Sequence, residues 1–131
     1  MKKLLLASML GLTLLFGQLQ TVWVTPDFLK KEMKIIDIRT AGEWRETGII
    51  NGAYTITFFD ERGKFDIPSF LAKLNQVVKK GEQFALICRT GSRTTEVANF
   101  LSTELGYDVI NLKGGMMKLQ AEGYRPVPYK K

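Results

Sequence analysis

Two short apolar runs narrow the folds open to this chain. Lys-Ile-Ile-Asp-Ile at 34–38 and Phe-Ala-Leu-Ile at 84–87 are almost continuously hydrophobic. That is the pattern of strands buried on both faces of a parallel sheet, whereas one-sided strands alternate. Three further strands are expected at 21–24, 52–56 and 109–112, with helical signals between them. Thr25-Pro26 supplies an N-cap and a first-position proline for a helix to about Met33. Thr40-Ala-Gly-Glu43 is a capping box opening a short helix. Phe70, Leu71, Leu74, Val77 and Val78 repeat at helical spacing over 68–78. Val97, Ala98, Leu101 and Leu105 do the same over 92–105, with Gly106 as the stop. Gly114-Gly115 leads into a last short helix that ends near Gly123. Strand and helix in alternation predict an α/β fold: an open, mainly parallel five-stranded sheet with helices on both faces. In such sheets the site lies beyond the carboxyl ends of the strands.

One cysteine falls at that place. Cys88 follows the apolar run at 84–87 and opens the loop Arg89-Thr90-Gly91-Ser92-Arg93-Thr94, after which a helix begins. Loop N–H groups and a helix N-terminus present partial positive charge, and Arg89 and Arg93 add full charges, so the setting favours the thiolate. The chain contains no histidine. Cys-His dyads, Ser-His-Asp triads and histidine metal sites are therefore excluded, and no metal or cofactor is expected.

The 131 residues suffice for one domain with a genuine core. Lys2-Lys3 followed by the apolar stretch at 4–16 read as an export signal. The stretch is short of the about 20 residues a bilayer span needs. It lacks an A-x-A cleavage signal, and no cysteine follows it for lipoprotein processing. The expected division is a signal peptide over 1–20, or alternatively an uncleaved membrane anchor, and a folded domain over 21–131. The expected location is periplasmic or secreted, or at the membrane if the anchor stays. Export would place a lone thiol in an oxidising compartment, where it cannot form an intramolecular disulfide. Without Lys2 and Lys3 the balance is 17 basic to 13 acidic residues. That excess suits small anionic substrates and is too modest and dispersed for nucleic acid.

Four blocks in order carry a resemblance. They are Ile35-Ile-Asp37-Ile-Arg39 with Glu43-Trp44, Gly48-Ile-Ile-Asn-Gly52-Ala53, the loop Cys88–Thr94, and Asn111-Leu-Lys-Gly114-Gly115 ending in Gly123-Tyr124. Over about 22–128 the chain resembles the rhodanese-like domain family, of the single-domain exported type. It departs from the family's pattern at Ile49, where histidine is usual, and at Leu119, where tryptophan is common.

The resemblance implies a thiosulfate sulfurtransferase that works as a monomer. Cys88 would take the sulfane sulfur of a small anionic donor as a persulfide and pass it to a thiophilic acceptor such as cyanide, a thiol or a protein. Arg89 would bind substrate charge, and Thr90, Gly91, Ser92, Arg93 and Thr94 would complete the active-site loop. Ser92 and Thr94 would donate to the sulfur or cap the helix. Asp37 and Arg39 would brace the site as an ion pair, with Arg39 reaching toward Glu43. A carrier delivering persulfide to a protein partner would use the same loop. A phosphatase or arsenate reductase is disfavoured, because those enzymes space five residues between cysteine and arginine and here Cys88 and Arg93 are separated by four.

Overall fold

The computed structural model describes residues 17–130. Five strands form one sheet in the order β1-β5-β4-β2-β3: β1 Leu19–Trp23, β2 Ile35–Asp37, β3 Tyr54–Thr55, β4 Phe84–Ile87 and β5 Val109–Lys113. Every neighbouring pair is parallel. Three α-helices lie between strands, α1 Ala41–Thr47, α2 Ile67–Val77 and α3 Ser92–Leu105, and a fourth, α4 Gly115–Ala121, follows β5. The α/β reading therefore stands, with the sheet wholly parallel among the described residues.

The sheet has two apolar faces because its central strands are apolar throughout. Phe84, Leu86 and Cys88 turn to one face with Ile36 and Ile38, where α2 brings Phe70 and Leu74 and α3 brings Val97, Ala98 and Leu101. Ala85 and Ile87 turn to the other with Ile35, where α4 brings Met116 and Leu119. Alternation along β4 thus feeds both cores from one four-residue strand. Leu119, the departure from family tryptophan, is fully buried in the second core. Ile49 forms an antiparallel bridge to Val127, which ties the C-terminal segment back beside α1.

Local signals behaved as their chemistry requires. Thr40 and Glu43 form the reciprocal capping box of α1, and Gly106 closes α3 in the left-handed conformation. Asp66 caps α2, which starts one residue before Pro68, so the proline occupies the first turn.

Three boundaries moved. The strand expected at 52–56 is reduced to Tyr54–Thr55. The helix expected from Pro26 to about Met33 is a 3-10 turn over Pro26–Lys30. Phe28 is its one buried residue, so a longer helix would add little packing to offset its ordering. Strand β1 begins at Leu19, within the segment assigned to the leader, because β5 offers five partners from Val109 to Lys113. Asp108 extends the pairing by accepting from the Gln18 N–H at 3.0 Å. The rest of the leader, from Lys2 through the apolar stretch at 4–16, lies outside the described residues. Within them, no helix is long and apolar enough to cross a membrane.

Candidate active site

Cys88 sits one residue beyond β4, at the carboxyl end of the sheet, and its side chain is fully buried. The loop folds around the sulfur. Gly91, at φ 99°, turns its N–H onto Cys88 Sγ at 3.2 Å. A side chain at that left-handed φ would be strained. The thiol lies 3.6 Å from Thr94 Oγ1, to which it donates, and Thr94 in turn donates to the Gly91 carbonyl at 3.1 Å. Gly91 O also accepts from the Thr95 hydroxyl at 2.7 Å, and Asn111 Nδ2 donates to that hydroxyl at 3.1 Å.

The loop keeps this shape because its carbonyls are held elsewhere. Met116 N–H donates to Cys88 O at 2.9 Å, and Met117 N–H donates to Arg89 O at 3.0 Å. The start of α4 thereby holds the outer edge of the loop. A Cβ on Gly115 would lie 2.4 Å from Arg89 O and 2.6 Å from Cys88 O. Gly115 is thus required by close approach of two backbones, a contact between segments distant in sequence. Nothing in the local pattern around Gly114-Gly115 announces it.

Charge around the site is arranged as two arginine–carboxylate pairs and one unpaired arginine. Asp37 and Arg39 form the first pair, both almost completely buried, with Nη2–Oδ2 at 2.8 Å. Arg39 also donates through Nη1 to Thr47 Oγ1 and through Nη2 to Gly48 O, each at 2.8 Å. It makes no hydrogen bond to Glu43, contrary to the expectation from sequence: its guanidinium is already engaged by Asp37, Thr47 and Gly48.

Glu43 instead belongs to Arg93. Its two oxygens accept from Nη1 and Nη2 at 2.7 and 2.8 Å, a bidentate pair joining α1 to the first turn of α3. The hydrogen bond from Arg93 holds the Glu43 carboxyl below its ordinary range, despite opposing partial burial. The Thr40 N–H and the Arg93 charge add to the lowering. Glu43 was legible as a capping residue; its second role fifty residues along the chain was not.

Arg89 is exposed and has no ion pair among the described residues. It lies between two clefts, one lined also by Arg39, Thr47 and Met116 and the other by Thr40, Arg93 and Phe59. Thr90 and Ser92 are exposed, with their hydroxyls 3.4 Å apart. Ser92 therefore neither caps α3, whose N-cap is Gly91, nor bonds the sulfur. Of the seven loop residues named from sequence, Gly91 and Thr94 touch the sulfur, Arg93 braces the loop, and Arg89 faces the clefts.

A family model, the rhodanese-like domain, matches residues 25–122. The chain belongs to the rhodanese-like domain family. Among its relatives is YtwF of Bacillus subtilis (strain 168), named as a candidate sulfurtransferase. It is 33% identical over 92 residues, which cover 70% of this chain and 78% of that protein. A rhodanese-like domain protein from Staphylococcus aureus is 27% identical with a TM-score of 0.61, covering 86% of this chain and 99% of that one. SSP1007 from Staphylococcus saprophyticus is 30% identical with a TM-score of 0.56, covering 77% and 95%.

Proposed function

We propose that this rhodanese-like domain is a sulfurtransferase that moves the sulfane sulfur of thiosulfate to a thiophilic acceptor through a persulfide on Cys88. The observation that carries the reading is the Gly91 N–H at 3.2 Å from the Cys88 sulfur, with the Cys88 and Arg89 carbonyls tied away to α4. An inward N–H and outward carbonyls suit an anionic sulfur.

The chemistry balances without an external oxidant. The Cys88 thiolate attacks the outer sulfur of thiosulfate, an S–S bond forms to Cys88, and the S–S bond of the donor breaks. Sulfite leaves with the bonding pair. Cyanide then attacks the terminal sulfur of the persulfide, which gives thiocyanate and returns the Cys88 thiolate. This is double-displacement covalent catalysis. Arg89 is the arginine free to meet the donor's sulfonate charge, since Arg39 and Arg93 are held by Asp37 and Glu43. Arg89 and Thr90 are exposed beside the buried Cys88.

Intact-mass analysis after incubation with thiosulfate tests the reading. The expected result is a gain of one sulfur atom, reversed by cyanide with release of thiocyanate and absent in Cys88→Ser. A folded, reduced protein that gains nothing overturns it.

A further inference from the structure

The Gly91 carbonyl gathers three donors. The Thr95 hydroxyl reaches it at 2.7 Å, and the Thr95 N–H and the Thr94 hydroxyl each reach it at 3.1 Å. A carbonyl oxygen has two lone pairs, so one of the three is surplus.

Hydrogen balance shows which donor is free to leave. A carbonyl only accepts, so Thr94 and Thr95 each spend their single hydroxyl proton on Gly91 O. The Thr94 oxygen then faces the sulfur as an acceptor, which fits a neutral thiol donating across 3.6 Å. A thiolate has no proton to donate. Once Cys88 ionises, its sulfur and Gly91 O compete for the Thr94 proton. Thr95 settles that competition, because its hydroxyl and N–H together supply the two donors that Gly91 O can hold.

Asn111 keeps Thr95 in that role. It lies on β5 opposite Leu86 of β4, the strand that leads to Cys88, and is buried. Its Nδ2 donates to Thr95 Oγ1 at 3.1 Å, so the Thr95 proton is left to point at Gly91 O. Its Oδ1 is buried without a hydrogen-bond partner among the described residues. An apolar side chain there would leave no orphaned oxygen, so what the amide adds is the bond to Thr95.

We propose that Thr95 and Asn111 are positioning residues for sulfur transfer: they satisfy the Gly91 carbonyl and free the Thr94 hydroxyl proton for the Cys88 thiolate. On ionisation the thiol proton goes to solvent. Thr94 keeps its own proton and turns it from Gly91 O to the sulfur. The anion then has two donors, the Gly91 N–H and the Thr94 O–H. The proposal rests on the persulfide reading and adds to it two residues outside the loop Cys88–Thr94.

Thiolate absorbance in the ultraviolet tests this without a sulfur donor, because Cys88 is the only cysteine. The full chain is titrated against pH with Cys88→Ser as the blank. Thr94→Val is expected to raise the midpoint of thiolate formation by about one pH unit, for the loss of one hydrogen bond to a charged acceptor. Thr95→Val, at an exposed position, raises it by about half as much. Asn111→Leu shifts it in the same direction, and Thr95→Ser restores the midpoint of the unmodified protein. Adding Thr95→Val to Thr94→Val changes nothing further, since the effect runs through Thr94. The charged groups facing the loop are Arg89, Lys113 beside Gly91, and the Glu43–Arg93 and Asp37–Arg39 pairs. All are unchanged in these variants, so a moved midpoint reports the hydrogen bonds. Sulfur gain from thiosulfate, followed by mass, slows in the same order. An unmoved midpoint in Thr95→Val, or a further shift in the double variant, overturns the proposal. Moved midpoints with an unaltered rate of sulfur gain overturn the positioning role alone. An unmodified protein that gains no sulfur overturns the persulfide reading and this proposal with it.

Discussion

The two arginine–carboxylate pairs beside Cys88 use the same groups for different ends. Asp37 and Arg39 are two residues apart, at the end of one strand, with side chains 0% and 2% exposed. Glu43 and Arg93 are fifty residues apart, join two helices, and are about one-quarter exposed. The first pair is a closed local unit. It satisfies its own charges and anchors Thr47 and Gly48 at the end of α1. The second is a strut across the site, with one end in the capping box of α1 and the other in the helix that follows the Cys88 loop. Burial makes the first pair a matter of stability. Geometry makes the second a matter of where the loop sits.

The largest effect should follow from breaking the buried pair. Asp37→Ala leaves the Arg39 guanidinium in the interior without its carboxylate, and removing one partner of a buried pair typically costs about 3–5 kcal/mol. Urea unfolding should show a loss of that order. A loss below about 1 kcal/mol would mean that water reaches Arg39 and that the contrast between the pairs is false. Replacing both Asp37 and Arg39 by leucine should recover only part of the loss, because the bonds to Thr47 and Gly48 go with the arginine.

The difference between the pairs also marks what the sequence could and could not disclose. Asp37 and Arg39 lie within one block of three residues, so their pairing is a local matter of strand-end geometry. The strands, the capping box and the Gly106 stop were legible for the same reason: each depends on neighbours within a turn or on the alternation of one strand. The Glu43–Arg93 strut depends on how α1 docks against the loop, and no periodicity carries that. The fit of Gly115 against the Cys88 carbonyl depends likewise on the packing of α4. The start of β1 at Leu19 was missed because an edge strand's length is set by its partner, and β5 is ninety residues away.

A smaller loss of stability and a larger loss of function should follow from cutting the strut. Glu43→Gln keeps the shape and removes the charge, and a partly exposed pair is worth about 0.2–1 kcal/mol. The loop it positions, however, holds Cys88, the nucleophile we propose, and small misplacements of reacting groups are costly, so sulfur transfer should fall by about tenfold or more. Arg93→Lys sharpens the point. It preserves the charge but cannot make the bidentate contact at 2.7 and 2.8 Å. If transfer depends on geometry, Arg93→Lys should resemble Glu43→Gln. If charge alone matters, Arg93→Lys should behave as the unmodified protein, and the strut is then only electrostatic.

The smallest effect is in the acid dependence of stability. Hydrogen bonding from Arg93 depresses the Glu43 carboxyl below its ordinary value of 4.5. A carboxyl with a lower value in the folded state than in the unfolded one stabilises the fold most fully above the unfolded value. That contribution is lost as pH falls through the folded value. The stability difference between the unmodified protein and Glu43→Gln should therefore be constant above about pH 5.5, where both states hold an ionised carboxylate. It should shrink progressively below 4.5. Denaturant titrations of the two proteins at a series of pH values measure it directly. No difference at any pH would show that the glutamate acts through a shape that glutamine shares in the capping box. A difference that shrinks would show that the ionised carboxylate, held by Arg93, is what joins α1 to the loop.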